Sequence, residues 1–171
     1  MMRTFATAMV LAFGTADERL VVPMPDGFIV AHQQTAQTGT IEERVPQGET
    51  VRKWSRMITI LKLNSAQSPS SYAISFQATV IGACPGTKAS YVPTKFAGRD
   101  AVDGRMDCPL NPDTGQPETF FYHALTSGSA IHMVQVAFRH VPSAKEEEWA
   151  RAQLKAATFC AAGSREAVCV R

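Results

Sequence analysis

The chain has 171 residues, of which 45% are hydrophobic and 19% charged. This length is enough to bury one sizeable core and too short to predict two domains. Its 17 Lys and Arg residues are scattered among 15 Asp and Glu residues, which leaves a formal net charge of +2. The charge pattern therefore excludes the basic surface typical of nucleic-acid binding and argues against strong binding to a membrane surface.

The N-terminus has the three parts of a secretory signal peptide. Arg3 supplies a positive charge, residues 5–13 are apolar, and the small residues 14–16 form a cleavage site. The apolar run is far shorter than the ~20 residues that span a bilayer. The alternative is an ordinary first strand or helix of a cytosolic protein. We expect residues 1–16 to be a removable signal peptide and residues 17–171 to form a single α+β domain.

Four cysteines, Cys84, Cys108, Cys160 and Cys169, lie outside this leader, and none of them directly follows the apolar run. The absence of a cysteine there argues against a lipoprotein and favours a soluble periplasmic or secreted product. In an exported chain, four cysteines predict two disulfides. Three pairings are possible, and chain proximity favours Cys84–Cys108 with Cys160–Cys169. Buried free thiols are the alternative, and zinc is disfavoured because no C-x-x-C pair is present.

The first third of the mature chain predicts short strands joined by turns. Pro23 and Pro25 interrupt an apolar run and so favour an edge strand there. Asp26-Gly27 and Pro46-Gln47-Gly48 are typical tight turns. The predicted elements are an edge strand at 19–24, strands near 28–33 and 40–45, one helical turn within 51–57 and a strand at 58–61.

Ser68-Pro69 predicts the start of a long helix, with Ser68 as the N-cap and proline at the first helical position. Apolar residues from Ala73 to Ile81 recur on one helical face, and Cys84-Pro85-Gly86 ends the helix. Ser143 and Glu146 form a capping box that opens a second helix. Trp149, Phe159 and Cys160 are expected to share one face of that second helix.

Between the two helices the sequence predicts two successive hairpins. Turn-forming residues separate four β-type segments, at 89–96, 101–108, 119–125 and 130–141. In the last segment Val134, Val136 and Phe138 alternate with Ile131, Met133 and Ala137, so both of its faces should be covered. We expect an antiparallel sheet of about six to eight strands flanked by two main helices.

Trp54 and Trp149 are predicted to be core anchors, because a tryptophan beside apolar residues is far more often packed than exposed to a ligand. A ligand-stacking role for Trp54 is the alternative.

His123 and His132 are the weak candidates for a metal site. If Ser127-Gly128 is the two-residue turn of a hairpin, the two histidines face each other across neighbouring strands. Two imidazoles could share zinc or copper, but a third ligand is not evident. A register change of one residue would destroy the pairing.

Other catalytic patterns are missing from the sequence. It has no G-x-S-x-G nucleophile elbow, and its glycines lack the Lys-Ser/Thr ending of a phosphate loop. Cys84 follows the C-terminal end of a helix, where the helix dipole disfavours a thiolate. We therefore expect no catalytic residues, no cofactor and no enzymatic activity.

The order of predicted elements resembles the Mog1/PsbP-like fold found in small exported bacterial proteins. The resemblance covers roughly residues 20–159. It is carried by short patterns: Val22-Pro23 to Gly27-Phe28, Gly48-Glu49-Thr50 leading to Trp54 and Met57, Cys84-Pro85-Gly86, and Val134-Gln135-x-Ala137-Phe138-Arg139. It implies an accessory or binding role and carries over no functional residue.

The leading hypothesis is an exported accessory protein that binds an envelope protein or a small ligand on a sheet face or groove left open by the helices. A metalloprotein or enzyme centred on His123 and His132 is the second hypothesis. An inhibitor or immunity protein against a cell-envelope hydrolase is the third.

Overall fold

The computed structural model describes residues 18–169. The predicted signal peptide therefore lies outside the described residues. Within residues 18–169 the chain forms nine strands and two helices: β1 (Arg19–Val21), β2 (Phe28–Ala36), β3 (Gly39–Pro46), β4 (Arg56–Asn64), α1 (Pro69–Ala83), β5 (Lys88–Phe96), β6 (Arg99–Asn111), β7 (Gln116–Ser127), β8 (Ala130–Phe138), α2 (Ala144–Ala156) and β9 (Thr158–Cys160).

Seven of the strands form one antiparallel sheet in the order β2-β3-β4-β8-β7-β6-β5. Strands that are adjacent in the chain pair as hairpins, and β8 returns to pair with β4, which joins the two halves of the sheet. The remaining strands, β1 and β9, form a separate two-stranded sheet. The predicted α+β class, with an antiparallel sheet and two main helices, is confirmed.

The seven-stranded sheet has a helix on each face. Side chains alternate between the faces along every strand, and each face collects its own core. On the α1 face the core includes Tyr72, Ala73, Val102, Met106, Tyr122, Ala124, Ile131 and Met133. On the α2 face it includes Leu20, Phe121, Leu125, Val134, Val136, Phe138, Ala150 and Phe159. Strand β8 contributes to both cores, as its apolar alternation predicts.

Both helix starts agree with the local sequence signals. Ser68 precedes Pro69, and its side chain accepts a hydrogen bond from the Ser71 backbone N–H at 3.1 Å. The Ser143 hydroxyl accepts from the Glu146 N–H at 3.4 Å, while a Glu146 carboxylate oxygen accepts from the Ser143 N–H at 2.9 Å. Both caps satisfy backbone donors that the helices themselves leave free.

Two disulfides tie the ends of elements to the sheet. Cys84, which follows α1, is joined to Cys108 on β6, and Cys160 on β9 is joined to Cys169. Chain proximity had favoured this pairing. The described residues contain no free cysteine.

The structure corrects the prediction at residues 51–57 and at the end of the second helix. Thr50 and Lys53 exchange backbone hydrogen bonds in a tight turn, and β4 begins at Arg56, so no helical turn forms there. Helix α2 ends at Ala156, and Thr158–Cys160 becomes strand β9, because these residues pair with β1. Phe159 still reaches the α2-face core, but from a strand.

Candidate functional site

A groove lies on the α2 face beside helix α2. The helix packs over β7 and β8, and the middle of β5 and β6 stays open beside it on this face. The resulting space, which we call the α2–β5 groove, has a volume of ≈ 620 Å³, a size typical of small-molecule sites. Its lining side chains include Ser90, Val92, Thr94, Lys95, Phe96, Asp103, Arg105, Phe121, His123, Arg151, Leu154 and Lys155.

A histidine and an aspartate form the floor of the groove. Asp103 on β6 is the direct cross-strand neighbour of His123 on β7, and His123 Nδ1 lies 2.6 Å from Asp103 Oδ1. Since a carboxylate only accepts hydrogen bonds, the imidazole donates from Nδ1. The His123 side chain is 7% exposed and packs edge-on against Phe96, whereas the Asp103 side chain is 58% exposed.

The other ring nitrogen of His123 has no partner among the described residues. His123 Nε2 is buried and makes no hydrogen bond. Leaving a buried polar atom unpaired costs about 1–3 kcal/mol, and native structures rarely keep such a group without a water, a ligand or a functional role. His123 therefore contributes a buried ring to the floor of the groove.

Two arginines flank the ring of Phe121 at one end of the groove. The Arg105 guanidinium lies 5.0 Å from the ring centroid, and the Arg151 guanidinium lies 5.3 Å from it. Arg105 donates to Asp107 at 2.8 and 3.0 Å and to Glu147 at 2.8 Å. The hydrogen bond to Asp107 is the main reason that the pKa of Arg105 is raised above its ordinary value. Arg105 is thus held rigidly, as a fixed part of the wall.

The two cations on α2, Arg151 and Lys155, are less constrained than Arg105. Arg151 reaches Glu147 only at 3.4 Å and its side chain is largely exposed. Lys155 follows one helical turn later, lines the groove and makes no ion pair within residues 18–169. The other two cations that line the groove are already paired, Lys95 with Asp100 and Arg105 with Asp107 and Glu147. The α2 wall therefore presents positive charge above an apolar and aromatic surface.

The structure does not bring the two predicted metal-binding histidines together as expected. In the β7–β8 hairpin His123 pairs with Val134 and His132 with Leu125, because Gly128-Ser129 forms the turn instead of Ser127-Gly128. Both side chains lie on the α2 face, but His123 is held by Asp103 on β6, the side of β7 away from β8. Among residues 18–169 no group of three or more potential ligands could hold a metal ion.

His132 lies in an apolar environment that is separate from that of His123. It packs edge-on against Phe159, and its Nε2 atom is buried without a partner. Burial, followed by the nearby charge of Lys62, lowers the pKa of His132 from 6.5 to about 4. The imidazole is therefore neutral at physiological pH.

The two tryptophans lie at the margins of the core. Trp149 is partly buried and packs against Phe28 and Phe138. Trp54 is also partly buried, and the Arg139 guanidinium lies over its ring at 4.2 Å from the centroid.

A second cavity of ≈ 600 Å³ adjoins Trp54. Two of its charged side chains are already paired: Arg139 donates to Glu118 at 3.2 Å and to the Arg52 carbonyl at 2.7 Å, and Glu49 accepts from Ser55. Since Arg139 covers one face of the Trp54 ring, the second cavity is a weaker candidate than the α2–β5 groove.

Sequence reasoning missed Asp103, Arg151 and Lys155. A signal was present in β6, where Asp103, Arg105 and Asp107 alternate on one face. Charges at every second position of a strand indicate a face that the core does not cover. Which helix borders that open face could not be read from the strand itself.

No helix within residues 18–169 is long and apolar enough to cross a lipid bilayer.

No protein-family model matches the sequence, and no curated protein matches it. Among solved structures, the chain is similar to the Ran-binding protein Mog1p of Saccharomyces cerevisiae, with 17% identity, 78% of this chain and 77% of that chain covered, and a TM-score of 0.48. A variant of Mog1 has 16% identity, covers 79% of each chain and has a TM-score of 0.49. LpqN of Mycobacterium tuberculosis, involved in cell envelope biogenesis, has 12% identity, coverage of 86% and 87%, and a TM-score of 0.45. These similarities concern the fold alone.

Proposed function

We propose that this chain is an exported accessory protein that binds a small amphipathic anion in the α2–β5 groove. The observation that carries the proposal is an open groove in which the exposed Arg151 and the neighbouring Lys155 lie beside apolar side chains.

The residues that line the α2–β5 groove indicate the class of ligand. Val92, Phe96 and Leu154 offer apolar and aromatic surface for the body of a ligand. Arg151 and Lys155, one turn apart on α2, can both reach a carboxylate, sulfonate or phosphate group. A ligand with a flat apolar body and one anionic group satisfies both surfaces.

The proposal is binding without catalysis. His123 is instead a fixed floor residue, held by Asp103 on one side and Phe96 on the other.

The first test compares two probes that share one apolar body. The anionic probe is 8-anilino-1-naphthalenesulfonate, and the neutral probe is N-phenyl-1-naphthylamine. We expect the folded protein to bind the anionic probe at one site, and a double variant, Arg151→Glu with Lys155→Glu, to weaken that binding by about tenfold or more. Fluorescence titration measures both affinities.

Lys145→Glu is the matched control for each of the two charge reversals, because it makes the same change per residue on an α2 residue that does not line the groove. Equal affinity for the two probes would refute the anionic part of the proposal while leaving the groove as a site. Failure of both probes to bind the folded protein would refute the groove as a small-ligand site.

His123→Leu separates binding from stability. The variant removes both the unpaired nitrogen and the Nδ1 hydrogen bond to the exposed Asp103, so the free energy of unfolding should change by no more than about 1 kcal/mol. Affinity for the anionic probe should fall because the floor changes. Urea denaturation and the same titration measure the two effects. A large loss of stability with unchanged affinity would contradict the assignment of His123 to the site.

A further inference from the structure

The α2–β5 groove holds a carboxylate as well as cations. Asp103 lines it from the floor, while Arg151 and Lys155 line it from helix α2. The Asp103 side chain is 58% exposed, and its Oδ1 atom accepts the hydrogen bond from His123. Its other oxygen, Oδ2, makes no hydrogen bond with any residue in the range 18–169. The carboxylate therefore keeps one oxygen that can accept a hydrogen bond from a ligand.

Two contacts show where Asp103 lies relative to helix α2. Arg105 on β6 donates to Glu147, near the start of the helix, at 2.8 Å. Arg99, where β6 begins, lies 4.7 Å from the ring centroid of Phe159, just beyond the end of the helix. Asp103 lies between those two arginines on β6 and, because the three occupy alternate positions, on the same face of the sheet. It therefore lies beside the stretch of α2 that carries both cations.

Given anion binding in this groove, as proposed above, we infer that the ligand is dipolar: its acidic group binds Arg151 and Lys155, and a protonated amine on the same ligand binds Asp103.

Electrostatics favours a dipolar ligand over a simple anion. None of the ion pairs within residues 18–169 joins Asp103 to Arg151 or Lys155, so the opposite charges stand apart across the open groove. An acidic group bound to the two cations approaches the negative carboxylate of Asp103, and like charges repel each other. A protonated amine on the ligand replaces that repulsion by a charge-assisted hydrogen bond.

Asp103 is held in place before a ligand binds. His123, its cross-strand neighbour, is 7% exposed and packs against Phe96. The His123 Nδ1–H donates to Asp103 Oδ1 at 2.6 Å. An acceptor that is already fixed loses less side-chain entropy on binding than a mobile one. Asp103 is therefore the residue that we expect to determine specificity for the amine.

The three kinds of surface in the groove together indicate an α-amino acid with a large apolar side chain. In such a molecule the ammonium and the carboxylate are joined to one carbon atom, and the rest of the molecule is apolar. Val92, Phe96 and Leu154 offer surface to the apolar side chain. The cations and Asp103 bind the two charged groups.

Three dansyl probes built on one skeleton separate the two charges. Nε-dansyl-lysine carries the ammonium and the carboxylate, 6-(dansylamino)hexanoate lacks the ammonium, and dansylcadaverine lacks the carboxylate. We expect the native protein to bind Nε-dansyl-lysine about tenfold more tightly than either of the other two, as a charge-assisted hydrogen bond to a half-exposed group implies. Fluorescence titration at pH 7 measures the three dissociation constants.

Asp103→Asn is the test variant, because asparagine still accepts a hydrogen bond from His123 Nδ1 but carries no charge. We expect the preference for Nε-dansyl-lysine over 6-(dansylamino)hexanoate to disappear. Asp26→Asn is the matched control, since Asp26 is exposed and does not line the groove, and this variant should keep the preference. Circular dichroism confirms folding of each variant, and Asp103→Ser replaces Asp103→Asn if the asparagine variant does not fold.

Equal affinity of the native protein for Nε-dansyl-lysine and 6-(dansylamino)hexanoate overturns the dipolar ligand and leaves anion binding intact. A preference that survives in Asp103→Asn overturns the role of Asp103. Equal affinity for dansylcadaverine and Nε-dansyl-lysine also overturns the dipolar ligand, since the acidic group would then contribute nothing. The sulfonate probe 8-anilino-1-naphthalenesulfonate reports anion binding separately, so its failure to bind is distinguishable from a missing preference for the amine.

Discussion

At the scale of single residues, Gly104 and Tyr122 form a cross-strand pair in which the glycine is required by sterics. The two residues face each other across β6 and β7. The Tyr122 ring covers Gly104, and its hydroxyl accepts a hydrogen bond from Gln77 at 3.0 Å. A Cβ atom at position 104 would overlap the ring.

Gly104→Ala should therefore destabilise the fold by about 2–3 kcal/mol, as overpacking of a filled core does. Urea denaturation measures the change. Gly82→Ala is the matched control, because a Cβ at Gly82 meets nothing within 4 Å, and alanine in a helix should stabilise by about 0.5–1 kcal/mol. A Gly104→Ala protein as stable as the native chain would place the tyrosine ring elsewhere.

His132 makes stability depend on pH. Its pKa falls from 6.5 in the unfolded chain to about 4 in the folded protein, chiefly because of burial. The unfolded chain therefore binds the proton more tightly, and stability decreases as the pH falls from about 6.5 to about 4, by at most about 3 kcal/mol.

His132→Leu should flatten this dependence between pH 7 and pH 4.5 because it removes the titrating group. Chemical denaturation at the two pH values measures the slope for both proteins. Equal slopes would assign the loss of stability to other groups.

At the scale of elements, helix α2 depends on its first turn. Hydrogen bonds from the Ser143 backbone N–H and hydroxyl to the Glu146 carboxylate lower the pKa of Glu146 to about 2. The carboxylate therefore stays ionised, and the cap intact, well below neutral pH.

Ser143→Ala removes the side chain of the cap and should cost about 1 kcal/mol of stability. Ser129→Ala, in the exposed β7–β8 turn, should change stability by less than about 0.5 kcal/mol. Thermal or urea unfolding compares the two variants, and equal effects would argue against the capping box as a source of stability.

The elements also show which parts of the fold could be predicted locally. The starts of α1 and α2 were predicted correctly because a cap and a first-turn residue interact within four positions of the chain. The predicted β7–β8 register was wrong because the turn lies one residue later than predicted. The pairing of β7 with β6 and of β8 with β4 sets the position of that turn. The conversion of residues 158–160 to a strand was missed, because β1, the strand with which they pair, is almost the whole chain away.

At the scale of the whole molecule, export stays a prediction, because the leader lies outside the described residues. We expect the mature protein to begin at Asp17 and to carry both disulfides, since the leader has the pattern of a signal peptide and disulfides persist in oxidising compartments.

Intact-mass spectrometry of protein from its native host, before and after reduction, checks both points. The oxidised form should be lighter than the reduced form by about four hydrogens, two for each disulfide. A mass that begins at Met1, with free thiols, would argue for a cytosolic protein and against the export proposal.

The sequence by itself determined the fold class, the helix starts and the proximal disulfide pairing, because each depends on alternation, caps or short loops within a segment. It also placed His123 and His132 on one sheet face. Only the tertiary structure decided that Asp103 holds His123 and that the middle of β5 and β6 stays open beside α2. Those features depend on contacts between strands and helices far apart in sequence, and no local pattern specifies them.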